Sequence, residues 1–247
     1  MRPDPWSCAT EASGGSVSNR PYTLLSCGMS IDGYLDSPAV TRLSLSNDSD
    51  FDRVDAVRAS CDAVLIGAAT VRNDNPRLVV RSQSRRDERL ARGLRASPTK
   101  VTVTCGGELD PGAQFFANSD TEKVVYCASP TVDRTRGRLS SVATVVDGGQ
   151  PVQMEGVAED LYARGVRRLM VEGGGTIHTQ FLTADLADEL HLVVAPFFVG
   201  DPRARRFVNE GCFPWNAGRR ASLAEVRQIG DVVLLRYALS SRFCADS

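Results

Sequence analysis

Two short stretches of this 247-residue chain hold side chains that could do chemistry. The first, Cys61 to Arg81 (CDAVLIGAATVRNDNPRLVVR), places Thr70, Arg72, Asp74 and Arg81 just beyond a run of apolar residues. Carboxylate and guanidinium groups this close together can bind an anion, move a proton, or do both. The second stretch sets Glu172 directly before Gly173, Gly174, Gly175 and Thr176. Glycines in such a turn let free backbone N–H groups point at a phosphate, and Glu172 adds an acceptor beside them. The pattern is neither G-x-G-x-x-G nor a P-loop, because no Gly-Lys-Ser/Thr follows. Each stretch alone is equally satisfied by a tight glycine-rich turn with solvated charges. The functional signal is the pair: two such turns, one bringing Asp and Arg, the other Glu.

The elements that must position these groups are short. Ala63–Ile66 and Arg168–Val171 are continuous apolar runs of strand length, as expected for strands covered on both faces. In an open α/β sheet, ligands sit beyond the carboxyl ends of such strands, where both polar turns begin. Further strands are expected at Pro21–Ser26, Lys100–Cys105, Lys123–Cys127 and Ala143–Val146, with a short extended piece at Leu78–Val80. Helices are expected at Asp48–Ser60, at Pro151–Ala163 and after the glycine run, where Ile177, Phe181 and Leu182 share a face. Arg58 closes the first of these, where a cation complements the helix dipole. Asp32–Gly33 is a turn, and Gly28 before it permits close approach of a flat group. The arginine-rich segment Ser82–Pro98 reads as solvated helical surface. Glu189–Phe198 is a strand with a bend or edge at Pro196, and Arg203–Arg220 is irregular and basic. Val226–Ile229 and Val232–Leu239 form a closing antiparallel pair about Gly230–Asp231.

Totals bound the possibilities. A formal net charge of −1 gives no electrostatic case for nucleic acid or an anionic membrane. No apolar run reaches the length of a spanning helix. Residues 1–20 lack the apolar core of a signal peptide and read as a disordered tail, as do 241–247, leaving 21–240 as one α/β domain with a mixed sheet. A cytoplasmic location is expected. Seven cysteines are scattered without a C-x-x-C pair, and two histidines have no zinc spacing, so no metal is expected.

Taken together, MSIDG (Met29–Gly33), VRASCDAVLIGAATVRNDNPRLVVR (Val57–Arg81), the KVTVT strand, LMVEGGGT (Leu169–Thr176) and LADEL…APFFVG (Leu186–Gly200) resemble the reductase domain of bacterial riboflavin biosynthesis. The free-standing diaminopyrimidine reductases of archaea and fungi are similar. The resemblance implies a dihydrofolate-reductase-like fold: a mixed, mainly parallel sheet flanked by helices. It also implies NADPH as cofactor and a ribosylamino-pyrimidine 5′-phosphate as substrate, whose ribose is reduced to a ribityl chain. Carried over by position, cofactor contacts fall at Gly28, Thr70, Asp74 and Cys105, then at Gly174, Gly175, Thr176, Ile177 and on to Gln180. Substrate contacts fall at Arg58, Leu78, Arg81 and Glu172. Arg58 and Arg81 suit an anionic sugar phosphate, and glycines 173–175 suit a diphosphate.

The implied chemistry is hydride transfer to C1 of the open-chain sugar, reached through an imine, with a proton delivered to nitrogen. Asp74 and Glu172 are the acidic residues of the matched stretches, and Asp74 is placed nearest the reacting centre. A cap or turn role in Asn73–Asp74–Asn75–Pro76 is the alternative for Asp74. The upstream zinc deaminase of the bifunctional relatives has no counterpart here, and Ser44 lies where relatives carry a larger residue. Two other functions remain open: a same-fold NADPH reductase acting on a different small molecule, and a nucleotide-binding protein without turnover. The resemblance further implies a homodimer, with Pro196 marking the place for the partner; Arg72 or the turn after Cys105 would take a 2′-phosphate.

Overall fold

The computed structural model describes residues 19–38, 43–117 and 120–244. Of the tails expected at 1–20 and 241–247, residues 1–18 and 245–247 therefore lie outside the described residues. Among the described residues, nine strands form one sheet in the order β5-β4-β3-β2-β6-β1-β7-β9-β8. They are β1 Tyr22–Ser30, β2 Ala63–Gly67, β3 Thr99–Thr104, β4 Lys123–Cys127, β5 Thr144–Asp147, β6 Arg168–Val171, β7 Glu189–Ala195, β8 Ser222–Ile229 and β9 Val232–Ala238. The strands from β5 to β7 in that order run parallel, and β9 and β8 close the sheet antiparallel. This is the mixed, mainly parallel sheet flanked by helices that was expected.

The apolar strands are buried on both faces because side chains alternate across the pleat. Leu65, Leu169 and Val171 point into one core with helices α5 (Met154–Ala163) and α6 (Gly175–Thr183). Val64, Ile66 and Met170 point into the other, beneath α1 (Asp48–Ala59), α2 (Ala68–Asp74) and α4 (Val132–Leu139). Of these, α2 and α4 were not foreseen. α3 (Gln83–Ala91) occupies the arginine-rich segment.

Several boundaries differ for physical reasons. Leu78–Val80 is not a strand: Leu78 is left-handed (φ 46°), and the loop is held by side chains instead of a ladder. β7 is interior, between β1 and β9, and stops at Ala195 before Pro196, which cannot donate to a ladder. The arginine-rich segment is not all solvated surface. Arg89 is 4% exposed and donates to the carbonyls of Ala59, Cys61 and Arg95, capping the end of α1 and the loop after α3. The chain after Ser240 was expected to fray, yet Ser240 and Arg242 are tied to the buried carboxylate of Asp188, which also pairs with Arg20.

Candidate active site

The site forms where β2 and β6, neighbours in the sheet, end together. Past their last paired residues the two chains stay laced: Glu172 N–H donates to Leu65 O, and Gly67 N–H to Gly173 O. β2 turns into α2 through Gly67, and β6 into α6 through Gly174; neither helix has a side-chain N-cap. The N–H groups of Gly175 and Thr176, which open α6, therefore have no capping side chain, an arrangement that accepts an anion.

The glycines are present for different reasons. Gly173 adopts φ 99°, a conformation side chains disfavour, and a Cβ there would also meet the His178 ring at 3.1 Å. Gly174 follows a cis peptide bond from Gly173 and has φ −71° and ψ −163°; a Cβ on it would meet only Thr70 Oγ1, at 3.5 Å, so its open face is free for a ligand. Gly175 was expected to serve a diphosphate. Its Cβ position is already filled, lying 2.2 Å from the carbonyl oxygen of Arg206, so a loop from elsewhere in the chain requires this glycine. Gly67 is likewise needed because Ile177 packs on it, 2.9 Å from a Cβ. Ile177 is thus buried core, 6% exposed, and supports the turn from below.

Thr70 faces Gly174 from α2, and Asp74 follows four residues later on the same helix face. Asp74 is exposed and is the last residue of α2, with the left-handed Asn75 as C-cap. Gly28 lies inside β1, and the segment containing Leu45 crosses it, with Leu45 Cβ and O both 3.4 Å from a Cβ there. Any flat group approaching Gly28 shares that space with Leu45. Cys105 is exposed at the end of β3, next to β2 in the sheet, and its carbonyl accepts from Thr131 Oγ1.

Arg58 and Glu172 come together across the helix–sheet junction. The guanidinium Nε and Nη2 donate to the two carboxylate oxygens of Glu172, both at 2.8 Å, and Nη1 donates to Val79 O. Arg58 was expected to offer a two-pronged face to a phosphate; that face is engaged by Glu172. Burial alone would lower the Arg58 pKa, but the Glu172 carboxylate outweighs it and raises it. What Arg58 does here is hold Glu172 in one orientation and fix the loop at Val79.

Arg81 is a different cation. It is exposed, lies over the Phe51 ring at 5.8 Å, and has no ion pair among the described residues. Its backbone is pinned by Asp55, a residue the sequence reading passed over. The Asp55 carboxylate accepts from Arg81 N–H, Ser82 N–H and Arg85 Nη1. Burial works against the charged carboxylate, but these donors prevail and hold its pKa below the usual range. Leu78 is 6% exposed, with its side chain in the core and its backbone left-handed. Asp55, near the middle of α1, carried only a helix-surface signal in the sequence.

The model of the RibD C-terminal domain family matches residues 21–235. The chain belongs to that family. A 2,5-diamino-6-ribosylamino-4(3H)-pyrimidinone 5′-phosphate reductase of Archaeoglobus fulgidus is 32% identical over 182 residues, covering 73% of this chain and 83% of the relative. One from Methanothermobacter thermautotrophicus is 28% identical, covering 89% of this chain and 99% of its own. Among solved structures, a pyrimidine reductase-like protein from Corynebacterium diphtheriae shares the fold (TM-score 0.75, 21% identity, 90% and 92% of the two chains). Acinetobacter baumannii RibD superposes with TM-score 0.72 at 25% identity, covering 90% of this chain and 58% of that one. The RibD C-terminal domain fold thus carries the two turns on adjacent strands. Among the described residues there is no cluster of three or more potential metal ligands, and no helix long and apolar enough to cross a membrane.

Proposed function

We propose that this protein is a cytoplasmic, homodimeric, NADPH-dependent reductase that converts the ribosyl group of a ribosylamino-pyrimidine 5′-phosphate into a ribityl chain. The observation that carries the reading is the joint one. Relatives named as reductases of that substrate align over most of their length, and Thr70, Glu172 and Gly174 stand together where β2 and β6 end.

The turn that opens α6 supports the coenzyme assignment. The uncapped start of α6 and the open face of Gly174 can receive a diphosphate, with Thr70 opposite and Asp74 on the same helix face. When bound, NADPH supplies the hydride that reduces C1 of the sugar. Glu172, oriented by Arg58, accepts hydrogen bonds from the pyrimidine or the sugar hydroxyls. Arg81 meets the 5′-phosphate as a cation with no internal acid partner. Asp74 stands nearest the reacting carbon. Most of the acceleration comes from fixing the two reactants against each other between these turns.

The test is oxidation of NADPH, followed by absorbance, with and without the ribosylamino-pyrimidine phosphate. Oxidation that depends on this substrate and yields the ribityl product supports the reading. Coenzyme binding without oxidation across pyrimidine, pterin and carbonyl substrates overturns it.

A further inference from the structure

We propose that His191 is a positioning residue for the site. As a neutral imidazole it accepts a hydrogen bond from Arg53 and so seats α1, the helix whose Arg58 and Asp55 hold Glu172 and Arg81. Protonation of His191 unseats that helix, and activity falls toward acid pH. The inference rests on the reading of Glu172 and Arg81 as substrate contacts.

α1 is docked by charge more than by an apolar stripe. Its buried residues are Asp50, Asp55 and Arg58, while Phe51 is exposed and Val54 and Val57 are half-buried. A helix seated in this way depends on each buried charge keeping its partner. At its start, Asn47 ties the cap to the β8–β9 hairpin through Ile229 O and Asp231. Near its end, Arg58 and Asp55 bond Glu172 and the backbone of Arg81 and Ser82. Between them Arg53 bonds the sheet itself. Its Nε donates to Asp50 within the helix, and its Nη1 donates to His191 Nδ1 on β7 at 3.2 Å.

That bond fixes the protonation state of the ring. A guanidinium only donates, so Nδ1 is the accepting nitrogen and the proton sits on Nε2, which donates to Glu189 Oε1 at 2.7 Å. His191 is buried, and the elements around it each bring a charged or titratable group. Arg236 of β9 donates to Glu189 Oε1 from Nε and Nη2, its Nε also lying 3.1 Å from His191 Nε2. Tyr22 of β1 donates to Glu189, and Arg168 of β6 lies 3.9 Å from it. Glu225 of β8 pairs with Arg236, and Asp50 with Arg53. Arg53, Arg168 and Arg236 thus face Asp50, Glu189 and Glu225, a balanced set that a neutral ring completes. A proton on Nδ1 adds an unmatched buried charge and turns an N–H against the donors of Arg53.

The sign of the pH dependence follows. Burial lowers the His191 pKa; Glu189 opposes that, and the guanidiniums of Arg53 and Arg236 add to it. The unfolded chain therefore takes up the proton first as pH falls below about 6.5. The seat of α1 is intact above that pH and is lost as pH falls through the lower, folded value. Neighbouring carboxylates stay charged over this range: despite burial, its donors hold Glu189 down at about 2, and Asp55 lies below the usual range. The chain's other histidine, His178, is on α6, across the sheet from α1.

The experiment is hydrogen exchange of the full chain at about pH 7.5 and about pH 5.5, corrected for the intrinsic pH dependence of exchange, with kcat/KM measured at both. His191→Gln is run alongside: its amide offers a carbonyl to Arg53 and an N–H to Glu189, and takes up no proton in this range. Losing one charge-assisted bond lowers protection of the native α1 amides about 10- to 100-fold at the acid pH, relative to those of β2 and β6. Native kcat/KM falls in parallel, whereas His191→Gln keeps both its α1 protection and its kcat/KM. Native α1 protection that is equal at the two pH values overturns the proposal, and does so even if the variant fails to fold. An acid loss of kcat/KM of the same size in native protein and variant also overturns it, because the titrating group then lies elsewhere. A native protein without turnover at either pH is separable: it removes the substrate reading, and exchange in α1 still decides whether His191 seats the helix.

Discussion

Replacing Arg58 by lysine separates holding Glu172 from merely being positive. The guanidinium makes two 2.8 Å bonds to Glu172 and a third to Val79 O, in a setting where the Arg58 side chain is 9% exposed and that of Glu172 16%. An ammonium keeps the charge but cannot span both carboxylate oxygens and the carbonyl, so at least one charge-assisted bond is lost. Hydrogen bonds to charged groups contribute about 1.5–3 kcal/mol each, so Arg58→Lys is expected to lose about 2 kcal/mol of stability. In a domain of this size that lowers Tm by about 4–8 °C. A Glu172 carboxylate free to turn also loses its fixed aim at the substrate, and kcat/KM falls about 10-fold, equivalent to about 1.4 kcal/mol. Denaturant unfolding gives the first quantity, as a shift in midpoint at constant slope. Steady-state kinetics with saturating NADPH gives the second. Lost stability with kcat/KM within twofold of native would leave the pair a structural clamp. Unchanged stability would mean the bidentate geometry contributes nothing in solution.

Other expectations follow from the same geometry. Arg81→Ala raises KM for the phosphorylated substrate about 10-fold while leaving a dephosphorylated analogue nearly unchanged, since Arg81 stacks on Phe51 without an ion pair; equal effects on both compounds would remove it from phosphate recognition. Asp74→Asn, at the exposed end of α2, lowers turnover far more than stability; near-normal turnover would return Asp74 to a capping role. Gly175→Ala places a Cβ against the Arg206 carbonyl and costs about 1–3 kcal/mol of stability through overpacking, read by denaturant unfolding. Burial pushes the His178 pKa down to about 4. Because the unfolded chain then binds the extra proton from about pH 6.5 downward, stability declines as pH falls from about 6.5 to about 4, by about 3 kcal/mol in all. His178→Phe should flatten that part of the pH–stability curve, and an unchanged curve would refute the buried neutral ring.

The sequence was legible where local pattern and residue chemistry agree. The runs at Ala63–Ile66 and Arg168–Val171 are strands, the polar turns follow them, and the α1 boundaries differ from expectation by a single residue. What was hidden depends on partners far along the chain. Arg58 and Glu172 each stood out, but nothing local says that two residues 114 positions apart satisfy each other. Gly175 looked like its neighbours, yet it answers to a carbonyl of Arg206. α2 escaped notice because seven residues ending in Asn and Asp give too few turns for a helical period. α4 did so because it is polar and contains Gly137. The left-handed Leu78 has no sequence signature, since its cost is offset by contacts from Arg58, Ser97 and Asp55 around it.

Gly174→Ala reports most directly on whether a coenzyme diphosphate lies on the α6 turn. Gly174 has a φ and ψ that alanine tolerates and only Thr70 Oγ1 near its Cβ position, so the substitution fills the open face without crowding it. Calorimetric titration with NADPH should show binding to the native protein and at least a tenfold weaker affinity in the variant, at unchanged Tm. Equal affinity in the two proteins would mean that the coenzyme does not rest on this turn.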